Sequence, residues 1–326
     1  MESRPPLSRS IPPLPRFPVI AGPTAGGKSA LAVAVALELS RRASRDAAEI
    51  ITADSIQVYR ELDIGSAKPT AEERGGVPHH LIDLVEPTDS FSVHQWLARA
   101  EAAVTDIRAR GRVPVVVGGS HLYIKAFLEG LFEGPPVDPA LRESLRNTDL
   151  AALRAELDRV DPEAAARIHA SDHRRTARAL EVYRQTGTPI SVLQQQWDRT
   201  DHHRADCVLV GLDWPTEPIN RRINARVKEM MERGLIDEAR TLHDAGRLGP
   251  QAREALGYKQ LIAAFEGRCS LDEAIEKIKI ETRRFGKNQR TWLKRLRPTP
   301  GSVWIDAESS PAEEWAGLVM RACGGT

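Results

Sequence analysis

The sequence contains little cysteine and no long apolar run. Its three cysteines, Cys207, Cys269 and Cys323, lie far apart and lack the spacing of metal ligands, so they predict a reducing cytoplasm and no zinc site. No segment approaches the roughly 20 consecutive apolar residues that span a bilayer, so we expect no membrane-spanning helix. Residues 1–16 are rich in proline, serine and arginine and lack the apolar core of a secretory signal, so we predict a disordered leader there.

The chain also lacks a strong net charge, but its basic residues are unevenly distributed. The 46 lysines and arginines nearly balance the 45 acidic residues, which leaves a net charge of +1. Residues 283–297 nevertheless contain basic side chains and no acidic one, and a second cluster consists of Arg174, Arg175, Arg178 and Arg184. Such local basic faces favour an acidic partner bound at defined places, while a solvated helix face is the alternative for each cluster.

A glycine-rich stretch at residues 22–29 has the pattern of a phosphate-binding loop. It lies between an apolar run predicted to be a strand, residues 17–21, and an alanine- and leucine-rich helix predicted over residues 29–40. The glycines let backbone N–H groups converge on phosphate oxygens beside the helix N-terminus. Lys28 would reach the outer phosphate, and the Ser29 hydroxyl would hold Mg²⁺. A glycine-rich turn without a ligand is the alternative.

Strand and helix patterns alternate along the first part of the chain. Strands are predicted at residues 49–55, 79–85 and 113–117, and a helix at residues 92–110. This alternation predicts an α/β fold, a parallel sheet flanked by helices, with ligands bound at the carboxyl ends of the strands. Asp54 and Ser120 fall at those ends. Asp54 could hold a metal, act as a general base or cap a turn, and Ser120 could bind a phosphate or cap the next helix.

A polar, helical stretch from about residue 139 to residue 197 interrupts this alternation. A strand pattern returns at residues 207–214 and is followed by predicted helices at 219–234, 235–246 and 271–296 and a short strand at 303–305. We therefore predict an inserted all-helical subdomain, residues 135–204, in a P-loop-like core. The core comprises residues 17–134 and 205–310, and residues 311–326 form a C-terminal tail.

The basic stretch near the C-terminus is predicted to present its cations on one helix face. These cations, spaced four, three and four residues apart, are Arg283, Lys287, Arg290 and Lys294. They could bind phosphates, while Gln289 and Trp292 could meet unpaired bases. The alternatives are a solvated face and a core position for Trp292. Lys68, which lies in a polar loop, is predicted to be solvated.

Seven blocks of the sequence together resemble one enzyme family. They are GPTAGGKS at 22–29, ADSIQVYRELDIGSAKP at 53–69, PHHLIDL at 78–84, VVVGGSHLYIKAFLEGL at 115–131, ARIHASDHRRTARALEVY at 166–183, EALGYKQL at 254–261 and TRRFGKNQRTWLKR at 282–295. In this order they closely resemble the tRNA dimethylallyltransferases, which transfer a five-carbon group to N6 of adenosine 37 in tRNA. The resemblance spans residues 17–296. One departure is Gly286-Lys287-Asn288-Gln289, where the family usually has Ala-Lys-Arg-Gln.

The resemblance implies a P-loop NTPase-like fold and a cytoplasmic monomer that binds dimethylallyl diphosphate, Mg²⁺ and the anticodon stem-loop of tRNA. The implied catalytic residues are Asp54 as the base for the adenine N6, Ser120 near the reacting atoms and Lys28 at the departing diphosphate. The implied diphosphate site comprises Gly22, Pro23, Thr24, Ala25, Gly26, Gly27, Lys28, Ser29 and Arg222, with Ser29 as the metal ligand. The resemblance and the basic helix together assign tRNA contacts to Asp54, Ser55, Ile56, Gln57, Ser120, Arg142, Arg174, Arg175, Arg178, Lys287 and Arg290.

Other functions remain open on the residues alone. A P-loop kinase of small molecules would use ATP and would have no role for the two basic clusters. Transfer of an isopentenyl group to free adenine nucleotides would need neither the helical insertion nor the basic helix. A non-enzymatic RNA-binding module would leave the phosphate-binding loop without a role.

Overall fold

The structure, a computed structural model, describes residues 14–43, 46–131, 134–136, 138–195 and 204–325. The contacts divide the chain into two units, which we call the sheet unit, residues 1–128 and 204–326, and the helical unit, residues 129–203. The leader predicted at residues 1–16 lies outside the described residues except for its last three. Of these, Arg16 donates a hydrogen bond to the carbonyl oxygen of Ala322 at 3.1 Å.

In the described residues, a six-stranded parallel sheet forms the centre of the sheet unit. Its strands are β1 (Phe17–Ala21), β2 (Ala48–Ala53), β3 (His79–His80), β4 (Val113–Gly118), β5 (Cys207–Asp213) and β6 (Val303–Asp306). Their order across the sheet is β3-β2-β4-β1-β5-β6. Every residue of β1, β2 and β4 is buried, as expected of parallel strands covered by helices. The predicted α/β fold with a parallel sheet is confirmed.

Three helices follow the strands of the first half of the chain. They are α1 (Lys28–Ala43), α2 (Val93–Ala109) and α3 (His121–Glu129). In α1 the buried residues Leu31, Val35 and Leu39 recur every four positions, which gives the helix one apolar face to pack on the sheet. In α2 the buried indole of Trp96 donates to the Thr52 carbonyl oxygen at 2.9 Å. This bond fixes α2 to the end of β2, directly before Asp54.

The helical unit has a core of its own. Its helices are α4 (Pro139–Asn147), α5 (Leu150–Val160), α6 (Pro162–Arg167), α7 (His173–Thr186) and α8 (Ile190–Leu193). The buried carboxylate of Asp161 accepts bonds from the amides of Ala164 at 2.9 Å and Ser191 at 3.0 Å, which joins the start of α6 to α8. The predicted all-helical insertion is confirmed for the described residues. Its core includes Leu145, Leu153, Leu157, Leu180 and Val182.

The remaining helices return to the sheet unit. They are α9 (Thr216–Glu232), α10 (Leu235–Asp244), α11 (Tyr258–Phe265), α12 (Leu271–Leu296) and α13 (Ala312–Ala322). Helix α12 packs against α9 and α11, and α13 packs against α1 through the buried side chains of Trp315 and Val319. The segment expected to be a C-terminal tail therefore contributes a helix to this unit. Among the described residues, no helix has the length and apolar character needed to cross a bilayer.

The third strand is shorter than its apolar pattern predicts. Residues 79–85 were predicted to be extended, but β3 contains only His79 and His80. Leu81 and Asp83 then adopt left-handed backbone conformations, with φ of 63° and 54°. Because extended backbone cannot continue through such residues, the strand ends there.

Lys68 is buried, so the prediction that it is solvated is wrong. Only 5% of the residue is exposed, and its ammonium group forms ion pairs with the carboxylates of Asp63 and Asp83. It also donates to the carbonyl oxygen of Tyr59 at 2.9 Å. A buried ammonium needs such partners, and here they connect the loop that follows β2 to the segment after β3.

Candidate active site

Three strands of the sheet end at the same level, and the candidate site begins just beyond them. In the register of the sheet, Gly118 at the end of β4 pairs with Ala21 of β1 and with Ala53 of β2. The phosphate-binding loop therefore starts beside Asp54 and Gly119, at the carboxyl edge of the sheet. Gly118 also sets the spacing, because a Cβ atom there would overlap the carbonyl oxygen of Ala53.

The phosphate-binding loop, residues 22–29, is shaped by its own backbone. Ala25 and Gly27 adopt left-handed conformations, with φ of 59° and 87°. The amide of Gly26 donates to the Pro23 carbonyl oxygen at 3.1 Å. The indole N–H of Trp214, which follows β5, donates to the Gly26 carbonyl oxygen at 3.0 Å. The turn is thus fixed from within the loop and from the neighbouring strand.

Both cations predicted to bind diphosphate form hydrogen bonds with the backbone of this loop. Lys28 Nζ donates to the Pro23 carbonyl oxygen at 3.3 Å, and Arg222 Nε of α9 donates to the Ala25 carbonyl oxygen at 2.8 Å. Arg222 is exposed, and its guanidinium carbon lies 5.0 Å from the ring centroid of Trp214. Because this bond uses only Nε, the two terminal nitrogens of Arg222 are left for an anion.

Arg226 is a further cation of the site, and the sequence interpretation missed it. Burial first, and then the positive charge of Arg226, lower the pKa of Lys28 from 10.5 to about 8, while the carboxylate of Asp54 acts in the opposite direction. Burial also lowers the pKa of Arg226, again opposed by Asp54. Arg226 follows Arg222 by one helical turn, so the spacing of the two arginines on α9 was the available sequence signal.

Asp54 caps a turn with one of its carboxylate oxygens. Its Oδ1 accepts bonds from the amides of Ile56 at 2.8 Å and Gln57 at 3.3 Å. Ser120 lies beside this turn, and its hydroxyl oxygen accepts a bond from the Ser55 amide at 3.1 Å. In the described residues, the hydrogen bonds of the Asp54 side chain use Oδ1 alone, so Oδ2 is left for a proton or a metal ion. The structure therefore brings Lys28, Asp54 and Ser120 to one edge of the sheet.

Gln57 supports the loop that follows Asp54. It is 8% exposed, and its side-chain nitrogen donates to the carbonyl oxygens of Ser66 and Ala67, both at 3.1 Å. Both amide hydrogens are thus used within the protein. Gln57 can contact an RNA base only through Oε1, as a hydrogen-bond acceptor.

The basic face predicted for α12 is divided in the structure. Arg283 donates to a side chain of α9 at 2.7 Å, and Arg290 donates to two acceptors at the start of α9 at 2.9 and 3.2 Å. Lys287 and Lys294 are exposed. Of the two cations of α12 predicted to contact tRNA, Lys287 is therefore the accessible one, and Arg290 holds α9 to α12.

Gln289 does not lie where an RNA base could reach it, and the expectation that it meets one is wrong. Only 3% of the residue is exposed, and its side chain is bonded to the backbone of Thr24 and Gly119. Trp292 is partly buried and stacks on the ring of His121, with centroids 4.5 Å apart and ring planes 13° apart. Both side chains therefore pack against other residues of the sheet unit.

The arginines predicted to contact tRNA from the helical unit form two groups. Arg142 of α4 and Arg178 of α7 each donate, at 2.7 Å, to the carboxylate of Glu181, a side chain that is only 3% exposed. Arg174 and Arg175 are exposed in the first turn of α7. A buried carboxylate therefore fixes one pair of guanidinium groups. In the other pair, Arg175 forms an ion pair with Asp172 at 3.4 Å at the helix surface.

Comparison with known proteins decides the family. The model of the IPP transferase family matches residues 57–296. The chain belongs to this family. It is 45% identical over 295 residues to a tRNA dimethylallyltransferase of Geobacillus thermodenitrificans, a match that covers 88% of this chain and 89% of the relative.

Two solved structures extend this likeness to the fold. One is the tRNA isopentenylpyrophosphate transferase of Bacillus halodurans, with a TM-score of 0.68 and 37% identity, covering 95% of this chain and 96% of the other. The second is a eukaryotic dimethylallyltransferase acting on tRNA, with a TM-score of 0.75 and 28% identity, covering 90% of this chain and 74% of the other. The fold of this chain is thus similar to that of both solved proteins.

The donor atoms near the loop suit a magnesium ion that substrate helps to hold. In the described residues, no three His, Cys, Asp or Glu side chains are grouped as metal ligands. Ser29 is exposed in the first turn of α1. Its hydroxyl and the Asp54 carboxylate are hard oxygen donors, and Mg²⁺ is commonly bound by one or two protein oxygens together with substrate phosphates and water.

Proposed function

We propose that this IPP transferase moves a dimethylallyl group from dimethylallyl diphosphate to N6 of adenosine 37 in tRNA and releases diphosphate. One observation carries the proposal: the phosphate-binding loop with Lys28, the Asp54 carboxylate and Ser120 meet at one edge of the sheet. The loop suits a diphosphate, and the carboxylate suits a base beside it. The names of the relatives support this reading over a small-molecule kinase and over transfer to free adenine nucleotides.

The diphosphate of the donor lies on residues 22–29. The amides of the loop bind its oxygens, and Lys28, Arg222 and Arg226 neutralise its charge. As the carbon–oxygen bond breaks, its electron pair leaves with the diphosphate, whose negative charge grows at these cations. Each donor that stabilises such developing charge contributes about 3 kcal/mol in comparable sites.

The acceptor needs a base because the lone pair of the adenine N6 is delocalised into the ring. The Oδ2 atom of Asp54 takes a proton from N6 as the carbon–nitrogen bond forms, and Oδ1 keeps the carboxylate oriented through the amides of Ile56 and Gln57. Ser120 lies beside Asp54, near the reacting atoms. A positioned base of this kind accelerates a reaction by about 10²–10⁴-fold.

Ser29 would hold Mg²⁺ at the first turn of α1, with the Asp54 carboxylate as a second oxygen donor within reach through water. When bound there, the ion supplies positive charge to the departing diphosphate. Diphosphate oxygens and water would supply the other ligands.

The RNA partner is the anticodon stem-loop of tRNA, bound by a cytoplasmic monomer. Arg142, Arg174, Arg175 and Arg178 contact phosphates from the helical unit, and Lys287 does so from the sheet unit. The target adenine leaves its stack to reach Asp54, which costs a few kcal/mol and is offset by base contacts with the loop at residues 54–57. In this segment, Gln57 is held by its bonds to the carbonyl oxygens of Ser66 and Ala67, next to the buried Lys68.

Purified protein incubated with dimethylallyl diphosphate, labelled in the allyl group, and with Mg²⁺ tests this function. We expect label in tRNA at adenosine 37 and none in AMP. In a parallel reaction with ATP labelled in its terminal phosphate, we expect no phosphoryl transfer. Phosphoryl transfer without labelled tRNA would establish a kinase, and labelled AMP would establish the nucleotide-modifying alternative.

The variant Asp54→Ala belongs in the same assay. We expect its turnover to fall by at least about 100-fold while tRNA affinity changes little, because the base is lost and the phosphate contacts remain. A decrease in turnover of less than about tenfold would remove Asp54 from the role of base.

A further inference from the structure

The side chain of Gln289 joins the phosphate-binding loop to the end of β4. Its Oε1 accepts a hydrogen bond from the Thr24 amide at 2.8 Å, and its Nε2 donates to the Gly119 carbonyl oxygen at 2.8 Å. The residue is 3% exposed. Its amide group thus satisfies one donor of the loop and one acceptor of the strand end, and both bonds are shielded from water.

The packing around Gln289 leaves it little freedom. A Cβ atom on Gly119 would lie 2.6 Å from Nε2 of Gln289, and one on Gly286 would lie 3.0 Å from Cδ1 of Ile223. Thr24 lies 3.8 Å from that same position on Gly286. The two glycines therefore allow α12 to approach both the loop and α9 closely.

The bond to Gln289 also determines which amides of the loop can bind an anion. The Thr24 amide points to Gln289, and the Gly26 amide donates to Pro23. By contrast, the amides of Ala25, Gly27, Lys28 and Ser29 donate to no protein acceptor within the described part of the chain. Two of these amides belong to the left-handed residues Ala25 and Gly27, and the other two open the first turn of α1, where an anion binds most favourably.

We propose that Gln289 is a positioning residue that holds the loop in its diphosphate-binding conformation. Because its bond to the Thr24 amide ties the loop to α12, it directs the amides that follow toward the ligand. Its bond to the Gly119 carbonyl oxygen fixes that group beside Ser120. The inference deepens the proposed function, since it takes diphosphate as the ligand of the loop. It assigns Gln289 to the donor side of the reaction and not to RNA recognition.

Gln289→Leu tests the inference, and Gln260→Leu is a matched control. Gln260 is 2% exposed, accepts from the Gly257 amide at 2.8 Å and donates to the Glu281 carboxylate at 2.6 Å, so its loss removes the same kinds of bond elsewhere in the sheet unit. The measurement is calorimetric affinity for inorganic pyrophosphate with Mg²⁺, alongside tRNA affinity and the melting temperature. Steady-state kinetics with dimethylallyl diphosphate accompany it.

We expect Gln289→Leu to weaken pyrophosphate affinity, and to raise the KM for dimethylallyl diphosphate, by about tenfold or more, because a buried amide loses its partner and the loop can shift. Affinity for tRNA should change by less than about twofold. Gln260→Leu should lower the melting temperature comparably and leave pyrophosphate affinity unchanged. Gln289→Glu keeps the size of the side chain but cannot donate to Gly119, so it should weaken pyrophosphate binding as well. This variant tests the inference if Gln289→Leu does not fold.

Equal pyrophosphate affinity in wild type and both Gln289 variants would overturn the inference. A loss of tRNA affinity with pyrophosphate affinity intact would also overturn it, because Gln289 would then contact RNA. So would a loss of pyrophosphate affinity in Gln260→Leu equal to that in Gln289→Leu. The proposed function fails separately, through a wild-type protein that binds no pyrophosphate or does not prenylate tRNA.

Discussion

At the scale of single residues, Lys28 has the most direct effect on the donor. Burial and the charge of Arg226 lower its pKa to about 8, so it carries a proton at neutral pH and loses it in mildly alkaline solution. A bound diphosphate favours the charged form and raises this pKa again. Because the protonated lysine is the form that attracts the anion, binding should weaken as the pH rises through about 8.

The variant Lys28→Met isolates this effect. We expect pyrophosphate affinity of the wild type to fall between about pH 7 and pH 9 more steeply than that of the variant, since only the wild type has a lysine that titrates there. The titration of the ligand itself is common to both proteins and cancels in the comparison. Parallel pH profiles for the two proteins, measured by calorimetry, would show that Lys28 stays charged throughout or does not contact the anion.

The residues of the site differ in how far the sequence could reveal them. The loop at residues 22–29, Asp54 and Ser120 were predictable because each follows a strand in an alternating pattern, and parallel strands end at one edge. Lys68 and Gln289 were misjudged because their surroundings depend on distant segments, the segment after β3 and the loop after β1. Arg226 was missed because its distance from Lys28 depends on how α9 packs beside the loop.

At the scale of elements, α7 of the helical unit carries arginines of two kinds. Arg174 and Arg175 are exposed, whereas Arg178 and Arg142 of α4 share the buried carboxylate of Glu181. Removing the guanidinium of Arg174, which forms no ion pair in the described residues, would cost only the proposed phosphate contact. Removing one that binds Glu181 also leaves a buried acceptor without its partner.

The pair Arg174→Ala and Arg142→Ala separates these roles. Each should weaken tRNA binding and reduce the slope of log affinity against log salt concentration by about 1. Only Arg142→Ala should also destabilise the protein, by about 1–3 kcal/mol, because Glu181 loses a hydrogen-bonded cation. Filter binding across a salt series and urea unfolding measure the two effects. An unchanged salt slope in both variants would place the RNA elsewhere.

At the scale of the whole molecule, the last helix of the chain contributes to the site. The ring of Trp315 in α13 lies 3.4 Å from where a Cβ atom on Gly27 would be, and its indole N–H donates to the Ser310 carbonyl oxygen at 3.1 Å. The helix therefore packs behind the phosphate-binding loop and α1. From the sequence, only a tail was predicted for this segment, whereas the structure has a helix there.

Trp315→Ala measures this contribution. We expect it to lower the free energy of unfolding by about 3–5 kcal/mol, because a large buried side chain leaves a cavity against α1. Glu314→Ala on the exposed side of the same helix is the control and should change stability by about 0.5 kcal/mol or less. Equal effects of the two substitutions in urea unfolding would contradict the role assigned to α13.

The architecture as a whole followed from the alternating pattern, and the all-helical insertion followed from its interruption. Periodicity reports which residues are buried, so it predicted the buried strands and the long helices well. It does not report where the backbone leaves the extended conformation, and so the apolar run at residues 79–85 was predicted to be a strand although Leu81 and Asp83 end it.

Gly118 limits how this enzyme could be re-engineered for other donors. Any side chain at that position would collide with the backbone of the adjacent strand, so position 118 accepts no larger residue unless β2 moves. Altered donor preference, whether selected in the laboratory or in nature, must come from other positions.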